Sequence, residues 1–318
     1  MKTAVVAIGG NAILKAGEEA TLENQLRNLN MTCSHLARMI KNGYDLVIIH
    51  GNGPQVGNIL LQNELCKTEI PPMPLDVCVA ESQGLLGYLI QQSLASALAK
   101  ESVERTVTCI VTRVLVDPKD PAFEKPSKPI GPYYSQEEAE ELRIEKGWTL
   151  VEDIKRGGYR RVVPSPRPIS ILESDAIKRL IHAKKGKKEI VVAAGGGGIP
   201  VVKKDCGYEG VEAVVDKDFA ASVLARDIGE KTLIFLTDID HVYVDFGTDR
   251  ARPLKKVTLE EIEEYVEEQQ FPPGSMGPKV QASIDFLRSG GRSVIITSPA
   301  LVEKALSGKA GTRICAGR

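Results

Sequence analysis

Three lysines in this sequence have neighbours that suit the binding of a phosphate group. Lys217 lies between two aspartates in VDKD, Lys279 follows GSMGP, and Lys128 lies in PSKPIGP. A lysine in the first turn of a helix opposes the helix dipole, so Lys279 suggests a bound anion. Each lysine alone is more ordinarily a solvated side chain, and Asp216 or Asp218 could simply cap the helix that follows.

Glycine-rich loops are the second feature that suits a phosphate: GGNA at 9–12, GNGPQVG at 51–57 and GGGG at 195–198. Glycine lets the backbone approach an anion, and the N–H groups of a following helix favour negative charge. One loop alone could be a tight turn, but three such loops favour phosphate binding. GNGPQVG is one residue too long for a dinucleotide fingerprint, and the Walker A pattern is absent. Phosphoryl transfer needs mainly positioning and charge stabilisation, which lysines facing backbone N–H groups supply.

Short apolar runs rich in β-branched residues precede these loops and are typical of strands buried on both faces of a parallel sheet. We predict strands at residues 3–8, 45–49, 106–116, 189–194, 232–236 and 293–296. Helical patterns lie between them at 21–42, 76–100, 136–146, 219–228, 259–268 and 277–288. The alternation predicts a doubly wound α/β fold, in which ligands bind at the carboxyl edge of the sheet.

Composition narrows the class of protein. The 318 residues carry 41 basic and 42 acidic side chains, a balance that argues against a nucleic-acid-binding surface. The apolar N-terminal run is too short for a signal peptide, and no stretch approaches the roughly 20 apolar residues of a membrane span. The cysteines and histidines match no metal-binding pattern. We therefore expect a soluble cytoplasmic protein with no metal held by its side chains.

Residues 117–168 differ from the rest because they are rich in proline and charged residues. This segment contains Trp148 and several tyrosines, which give it aromatic bulk to pack. We predict an inserted lid subdomain with one short helix near 136–146, because long segments of this kind in compact domains are often functional. The alternative is a long solvated excursion.

Seven segments together resemble the carbamate kinases of the amino-acid kinase superfamily. They are GGNA at 9–12, HGNGPQVG at 50–57, KPIGP at 128–132, RRVVPSPRP at 160–168, AGGGGIPV at 194–201, VDKD at 215–218 and GSMGPKV at 274–280. The resemblance implies a three-layer αβα sandwich with a mainly parallel central sheet and a small protruding subdomain. It also implies reversible phosphoryl transfer between carbamoyl phosphate and ADP, giving ATP and carbamate. Mg²⁺ on the nucleotide phosphates and a homodimer are implied as well.

The same resemblance assigns roles to individual residues of this sequence. The phosphoryl group and carbamate would be bound by Gly9, Gly10, Asn11, Gly51, Asn52 and Gly53. The catalytic residues would be Lys217, Lys279, Asp218 and Lys128, with Asp218 orienting the first two lysines. The nucleotide would be bound by Thr237, Asp238, Tyr243, Met276 and Gly277. Residues 1–169 would form the phosphoryl-binding lobe, with the insert at 117–168, and residues 170–318 the nucleotide-binding lobe.

Two alternative functions stay open. Another member of the superfamily would phosphorylate the carboxylate of an amino acid such as glutamate or acetylglutamate, and the insert at 117–168 speaks against it. A catalytically silent ligand sensor is the second, and retention of Lys217, Asp218 and Lys279 together argues for an enzyme. Carbamoyl phosphate is a mixed anhydride, so we expect ATP formation to be the favoured direction. The family resemblance implies a role in fermentative arginine breakdown.

Overall fold

The computed structural model of this chain describes residues 2–15, 17–153, 157–183, 188–271 and 276–317. Strands and helices alternate along these ranges, which confirms the predicted α/β class. Within the same ranges, no helix combines the length and the apolar character needed to cross a membrane.

The elements have the following bounds. The strands are β1 (Lys2–Ile8), β2 (Tyr44–His50), β3 (Val107–Cys109), β4 (Arg113–Val116), β5 (Lys128–Tyr134), β6 (Leu150–Glu152), β7 (Tyr159–Val163), β8 (Pro168–Ile171), β9 (Ile190–Val192), β10 (Ile199–Lys204), β11 (Gly207–Gly210), β12 (Thr232–Leu236), β13 (Val242–Val244), β14 (Arg252–Leu254), β15 (Lys256–Thr258), β16 (Ser293–Thr297) and β17 (Thr312–Cys315). The α-helices are α1 (Leu22–Lys41), α2 (Gly53–Leu65), α3 (Leu75–Lys100), α4 (Gln136–Lys146), α5 (Ser174–Ile181), α6 (Lys217–Ile228), α7 (Leu259–Glu267), α8 (Met276–Arg288) and α9 (Val302–Leu306). Single 3-10 turns lie at Gly10–Ala12, Pro121–Phe123, Gly195–Gly197 and Pro299–Leu301.

The central sheet runs in the order β15-β17-β16-β12-β1-β2-β9-β3 through the described part of the chain. Its neighbouring strands are parallel except for β16 and β17. Strands β12, β1, β2 and β9 lie side by side and point the same way. The loops that follow these four strands therefore meet at one carboxyl edge, where ligands bind in open parallel sheets.

Helices cover both faces of this sheet, and β1 shows how its sequence directs them. Ala4, Val6 and Ile8 pack with residues of α1, α3 and α9 on one face. Val5 and Ala7 point to the opposite face and pack with residues of α5, α6, α7 and α8. Successive side chains of a strand alternate between faces, so an unbroken apolar run is buried on both. The predicted three-layer αβα sandwich is thereby confirmed.

The insert at 117–168 folds into the predicted small subdomain. Strands β5, β7 and β6 form an antiparallel sheet, and α4 packs beside it. Helix α4 begins at a capping box, in which Ser135 and Glu138 each accept a hydrogen bond from the other's backbone N–H. It ends at Gly147, whose φ of 62° is the left-handed conformation that glycine adopts readily. The predicted helix over 136–146 is confirmed.

Aromatic and cationic side chains pack together inside this subdomain. The ring of Trp148 lies 6.5 Å from that of Tyr134, and the guanidinium of Arg161 stacks 4.2 Å from the Trp148 ring centre. Arg160 lies over the ring of Tyr133 at 5.2 Å. Such cation–π contacts favour a folded subdomain over the solvated excursion considered as the alternative.

One strand prediction was wrong, and three helices, α2, α5 and α9, were missed, as were the short strands that lie outside the six predicted runs. The run at 106–116 is not a single strand, because β3 joins the central sheet whereas β4 joins a second sheet of order β11-β10-β4-β8. Helix α2 was not predicted. Its N-cap residue, Asn52, makes no capping hydrogen bond with its side chain, but asparagine at the N-cap and Pro54 in the first turn are usual start signals, so the sequence did indicate this helix. The division into lobes 1–169 and 170–318 stays a prediction.

Candidate functional site

Two of the predicted glycine loops meet at the carboxyl edge of the sheet, after β1 and β2. A methyl group on Gly9 would lie 2.9 Å from the carbonyl oxygen of Leu236, so only glycine fits beside β12. A methyl group on Gly51 would lie 3.2 Å from the side chain of Lys217 and 4.0 Å from the backbone nitrogen of Gly10. The structure therefore brings Gly10, Gly51 and Lys217 to one place. The side chain of Asn11, which belongs to the same predicted set, lies outside what the structure describes.

The third loop, at 195–198, packs beneath the second. Gly196 has a φ of 67°, and a methyl group there would overlap the side-chain amide of Asn52. That amide donates a hydrogen bond of 2.8 Å to the hydroxyl of Ser82 in α3. A methyl group on Gly195 would likewise overlap the ring of His50. This loop thus supports the predicted ligand residue Asn52 from behind.

His50 is buried beside this loop as a neutral side chain. Burial lowers the pKa of its imidazole to about 4, although a hydrogen bond to the carbonyl oxygen of Gly51 partly opposes this effect. A neutral ring adds no positive charge next to the glycine loop at 51–57. The ring therefore supports the backbone of Gly51 and Gly195 by packing against it.

Lys217, Asp218 and Lys279 form one buried ionic cluster above these loops. The ammonium of Lys217 lies 2.7 Å from one carboxylate oxygen of Asp218, and that of Lys279 lies 3.1 Å from the other. The side chains of Lys217, Asp218 and Lys279 are only 12%, 4% and 9% exposed. Lys217 and Asp218 occupy the first turn of α6, and Lys279 lies in the first turn of α8. The three predicted residues are therefore in direct contact.

The two lysines of this cluster have pKa values that move in opposite directions. Burial alone would lower the pKa of Lys217, but the charges of Asp218 and Asp216 outweigh it and raise that pKa. Burial and the nearby charge of Lys217 outweigh Asp218 at Lys279, so the pKa of Lys279 is lowered. The cluster carries more positive than negative charge, and an anion placed between the lysines would relieve this imbalance.

Lys128 reaches the same region from β5 of the insert. Its ammonium lies 2.6 Å from a carboxylate oxygen of Asp216, the residue that precedes Lys217. The insert is seated closely on α2, because a methyl group on Gly57 would overlap the backbone of Gly131. The structure thus places Lys128 next to the glycine loops, while its contact with a substrate stays a prediction.

The predicted nucleotide-binding residues lie at β12, β13 and the start of α8. Thr237 follows β12, where its backbone N–H donates to the carbonyl oxygen of Thr297 at 3.0 Å and its hydroxyl donates to Asp238 at 3.1 Å. The half-buried ring of Tyr243 in β13 lies 6.0 Å from that of Phe246. Met276 packs against the core, and Gly277 follows it in the first turn of α8. Thr237 and α8 are thus near the cluster, while their contact with a nucleotide stays a prediction.

Some residues that shape the site were not predicted from the sequence. Asp216 was considered only as a helix cap, which it is, because it accepts the backbone N–H of Asp218 at 2.8 Å. Its ion pair with Lys128 was missed. Ser82 and Gln83 were also missed, although two polar residues on an otherwise apolar helical stripe were a usable signal. Among the described residues, no group of three or more His, Cys, Asp or Glu side chains is placed to hold a metal ion.

Comparisons with known proteins agree with this geometry. The Amino acid kinase family matches residues 2–298 of the chain. A carbamate kinase from Pyrococcus horikoshii is 44% identical over 312 residues, which cover 98% of each chain. The structure of a carbamate kinase from Giardia lamblia bound to citric acid has a TM-score of 0.93 and 41% identity, with 99% of both chains covered. The same Giardia enzyme bound to AMP-PNP gives a TM-score of 0.90 at the same identity and coverage.

Proposed function

The chain belongs to the carbamate kinases of the amino acid kinase family, and from this premise we propose how its residues perform phosphoryl transfer between carbamoyl phosphate and ADP. The observation that carries the proposal is the buried cluster of Lys217, Asp218 and Lys279 beside the glycine loops. A phosphoryl group in transit spreads negative charge over its oxygens. Fixed cations in a site that excludes water stabilise that charge more than they would in bulk water.

Within this cluster, Lys217 and Lys279 neutralise the charge of the transferring group from two sides. Asp218 holds both ammonium groups at hydrogen-bond distance, so little reorganisation is needed when the charge develops. The mechanism requires no nucleophilic side chain, because an oxygen of ADP attacks the phosphorus of carbamoyl phosphate directly and carbamate leaves. In the reverse direction, carbamate attacks the terminal phosphate of ATP.

The glycine loops bind the transferring group and carbamate through backbone N–H groups. We assign this role to Gly9, Gly10, Asn11, Gly51, Asn52 and Gly53. The support for it is that Gly10 and Gly51 converge on Lys217 at the carboxyl edge of the sheet. Lys128 approaches from the insert on the side of Gly53, where a methyl group would lie 3.6 Å from the carbonyl oxygen of Pro129. We assign Lys128 to the carbamate side of the substrate.

The nucleotide lies on the C-terminal side of the cluster, against Thr237, Asp238, Tyr243, Met276 and Gly277. Mg²⁺ is expected on the nucleotide phosphates, where it offsets their charge. The residues present fit this arrangement, because both carboxylate oxygens of Asp218 already accept from lysines. The residues of this chain therefore present the phosphates, and the phosphates hold the ion.

The direction of reaction follows from the chemistry of the substrate. Carbamoyl phosphate is a mixed anhydride with a high transfer potential, so we propose that the enzyme forms ATP in the cell. A place in fermentative arginine breakdown, a cytoplasmic location and a homodimer complete the proposal, and all three rest on the family. The N-terminal lobe at 1–169 would bind carbamoyl phosphate and the C-terminal lobe at 170–318 would bind ADP.

A coupled assay tests this function. Purified protein is given ADP, Mg²⁺ and carbamoyl phosphate, and ATP formation is followed; a second reaction contains ATP with glutamate or acetylglutamate and follows ADP formation. We expect turnover only in the first. Turnover only with ATP and the amino-acid carboxylate would assign the chain to another reaction of the family. Nucleotide binding without turnover in either reaction would identify a ligand sensor.

A further inference from the structure

Asp216 uses its two carboxylate oxygens for two different contacts. One oxygen accepts the backbone N–H of Asp218 at 2.8 Å and so caps α6. The other accepts the ammonium of Lys128 at 2.6 Å. Because α6 carries Lys217 and Asp218, one side chain joins the insert to the helix that carries the central cluster.

The surroundings of this ion pair make it a strong contact. The side chain of Lys128 is 25% exposed and that of Asp216 is 16% exposed, so solvent screens their attraction only in part. Burial alone would raise the pKa of Asp216, but the charges of Lys128 and Lys217 outweigh it and lower that pKa. Asp216 therefore stays ionised at neutral pH.

Two neighbouring carboxylates thus divide three ammonium groups between them. Asp218 holds Lys217 and Lys279, and Asp216 holds Lys128. A lysine side chain has several rotatable bonds, and ordering it at the moment of binding costs free energy. An ammonium that is held in place beforehand avoids this cost.

We propose that Asp216 is a positioning residue that holds the ammonium of Lys128 beside the phosphate loops before carbamoyl phosphate binds. The inference rests on the proposed function, because it requires Lys128 to contact that substrate. Asp216 itself touches Lys128 and the backbone of α6, and acts on the substrate through Lys128. Its effect should therefore appear in the binding of carbamoyl phosphate and not in that of ADP.

The variant Asp216→Asn separates the two contacts. Asparagine keeps an oxygen that can cap α6 but removes the charge that holds Lys128. We expect the KM for carbamoyl phosphate to rise about tenfold, the size of the cost of ordering Lys128 when the substrate binds. The kcat and the KM for ADP should change less than about twofold. Asp216→Ser, which also keeps a capping oxygen, should give the same result and serves if the asparagine variant does not fold.

A double-mutant cycle distinguishes positioning from a merely structural role. Lys128→Ala should raise the KM for carbamoyl phosphate, and adding Asp216→Asn to it should cause no further rise. If the two effects multiply instead, Asp216 acts through α6 and the proposal is overturned. A fall in KM for Asp216→Asn would also overturn it, because Asp216 would then compete with substrate for Lys128.

The matched control is Asp120→Asn. Asp120 also caps a short turn, by accepting the backbone N–H of Ala122 at 2.8 Å, but it lies at the start of the insert and not at α6. This variant should leave the KM for carbamoyl phosphate unchanged, and an equal rise would show that removing the charge of a capping aspartate has this effect wherever it lies. Wild-type protein that forms no ATP would overturn the proposed function itself, which separates that failure from a failure of the inference.

Discussion

Replacing Asp218 by asparagine removes the charge that pairs with both buried lysines of the central cluster. The side chains of Lys217 and Lys279 are 12% and 9% exposed, so neither ammonium can recover full hydration. Removing one partner of a buried ion pair costs about 3–5 kcal/mol. Asparagine still offers one oxygen, so we expect the low end, about 3 kcal/mol in the free energy of unfolding. For a chain of this length that lowers the melting temperature by roughly 5 °C.

The same change should reduce kcat about 100-fold, the usual loss when one group that organises transition-state charge is removed. The measurements are a thermal melt and the initial rate of ATP formation at saturating substrates. The matched control is Asp227→Asn at the other end of α6, where the ion pair with Arg226 is more exposed. We expect the control to lose less than about 1 kcal/mol and to keep its turnover.

Three results would refute this reasoning about Asp218. A lower melting temperature with unchanged kcat would show that the carboxylate stabilises the fold and does not organise the lysines for catalysis. An unchanged melting temperature would show that the two ammonium groups find other partners at little cost. Equal losses of stability and of kcat in the Asp218 and Asp227 variants would mean that the effect belongs to α6 as a whole.

Three further predictions concern the same site. Lys217→Ala should reduce kcat far more than it reduces the affinity for ADP measured by calorimetry. If kcat and this affinity fall by equal factors, Lys217 acts in ground-state binding and not in the transition state. Because the pKa of Lys279 is lowered, its ammonium is lost as the pH rises through that pKa, so a pH profile of kcat should fall on the alkaline side before the ordinary lysine pKa of about 10.4 is reached; a profile that stays flat up to that pH would contradict this role. Gly196→Ala should lower the free energy of unfolding by about 3 kcal/mol and impair turnover, because the added methyl group overlaps Asn52. The control is Gly229→Ala, at a glycine with a similar positive φ but open space around it, which should lower the free energy of unfolding in a thermal melt by only about 1 kcal/mol.

The central sheet could be predicted from the sequence because its strands are buried on both faces. Runs such as residues 3–8 and 232–236 are apolar at every position after an initial threonine and end at turn-forming residues, so no alternative structure competes strongly. The run at 106–116 has the same appearance but is divided between two sheets. Gln83 of α3 accepts the backbone N–H of Thr112 and donates to its carbonyl oxygen, where the strand direction changes. That break depends on a residue far away in sequence, so local pattern could not reveal it.

The glycine loops at the edge of the sheet could be located from the sequence, but the residues that support them could not. Glycine at 9–10, 51 and 195–198 signals close backbone approach wherever it follows a strand. Sequence spacing does not show that Asn52 is held by Ser82, because the hydrogen bond joins different elements. Gln83 similarly donates to the carbonyl oxygen of Gly195 at 3.0 Å. The buried face of α3 therefore serves as a polar support for two loops, and only the packing of the helix on the sheet shows this.

The pairing of charges shows most clearly where sequence reasoning ends. Asp216 and Asp218 both lie next to Lys217, and either could cap the helix or bind a lysine. The start of α6 decides between them, because Asp216 is the N-cap with an extended backbone and Asp218 lies within the first turn. Asp216 therefore faces the insert and binds Lys128, whereas Asp218 faces the sheet edge and binds Lys217 and Lys279. One residue inserted or deleted between the two aspartates would exchange or abolish these partners. The spacing of VDKD therefore sets both the buried cluster of Lys217, Asp218 and Lys279 and the ion pair that connects the insert to it.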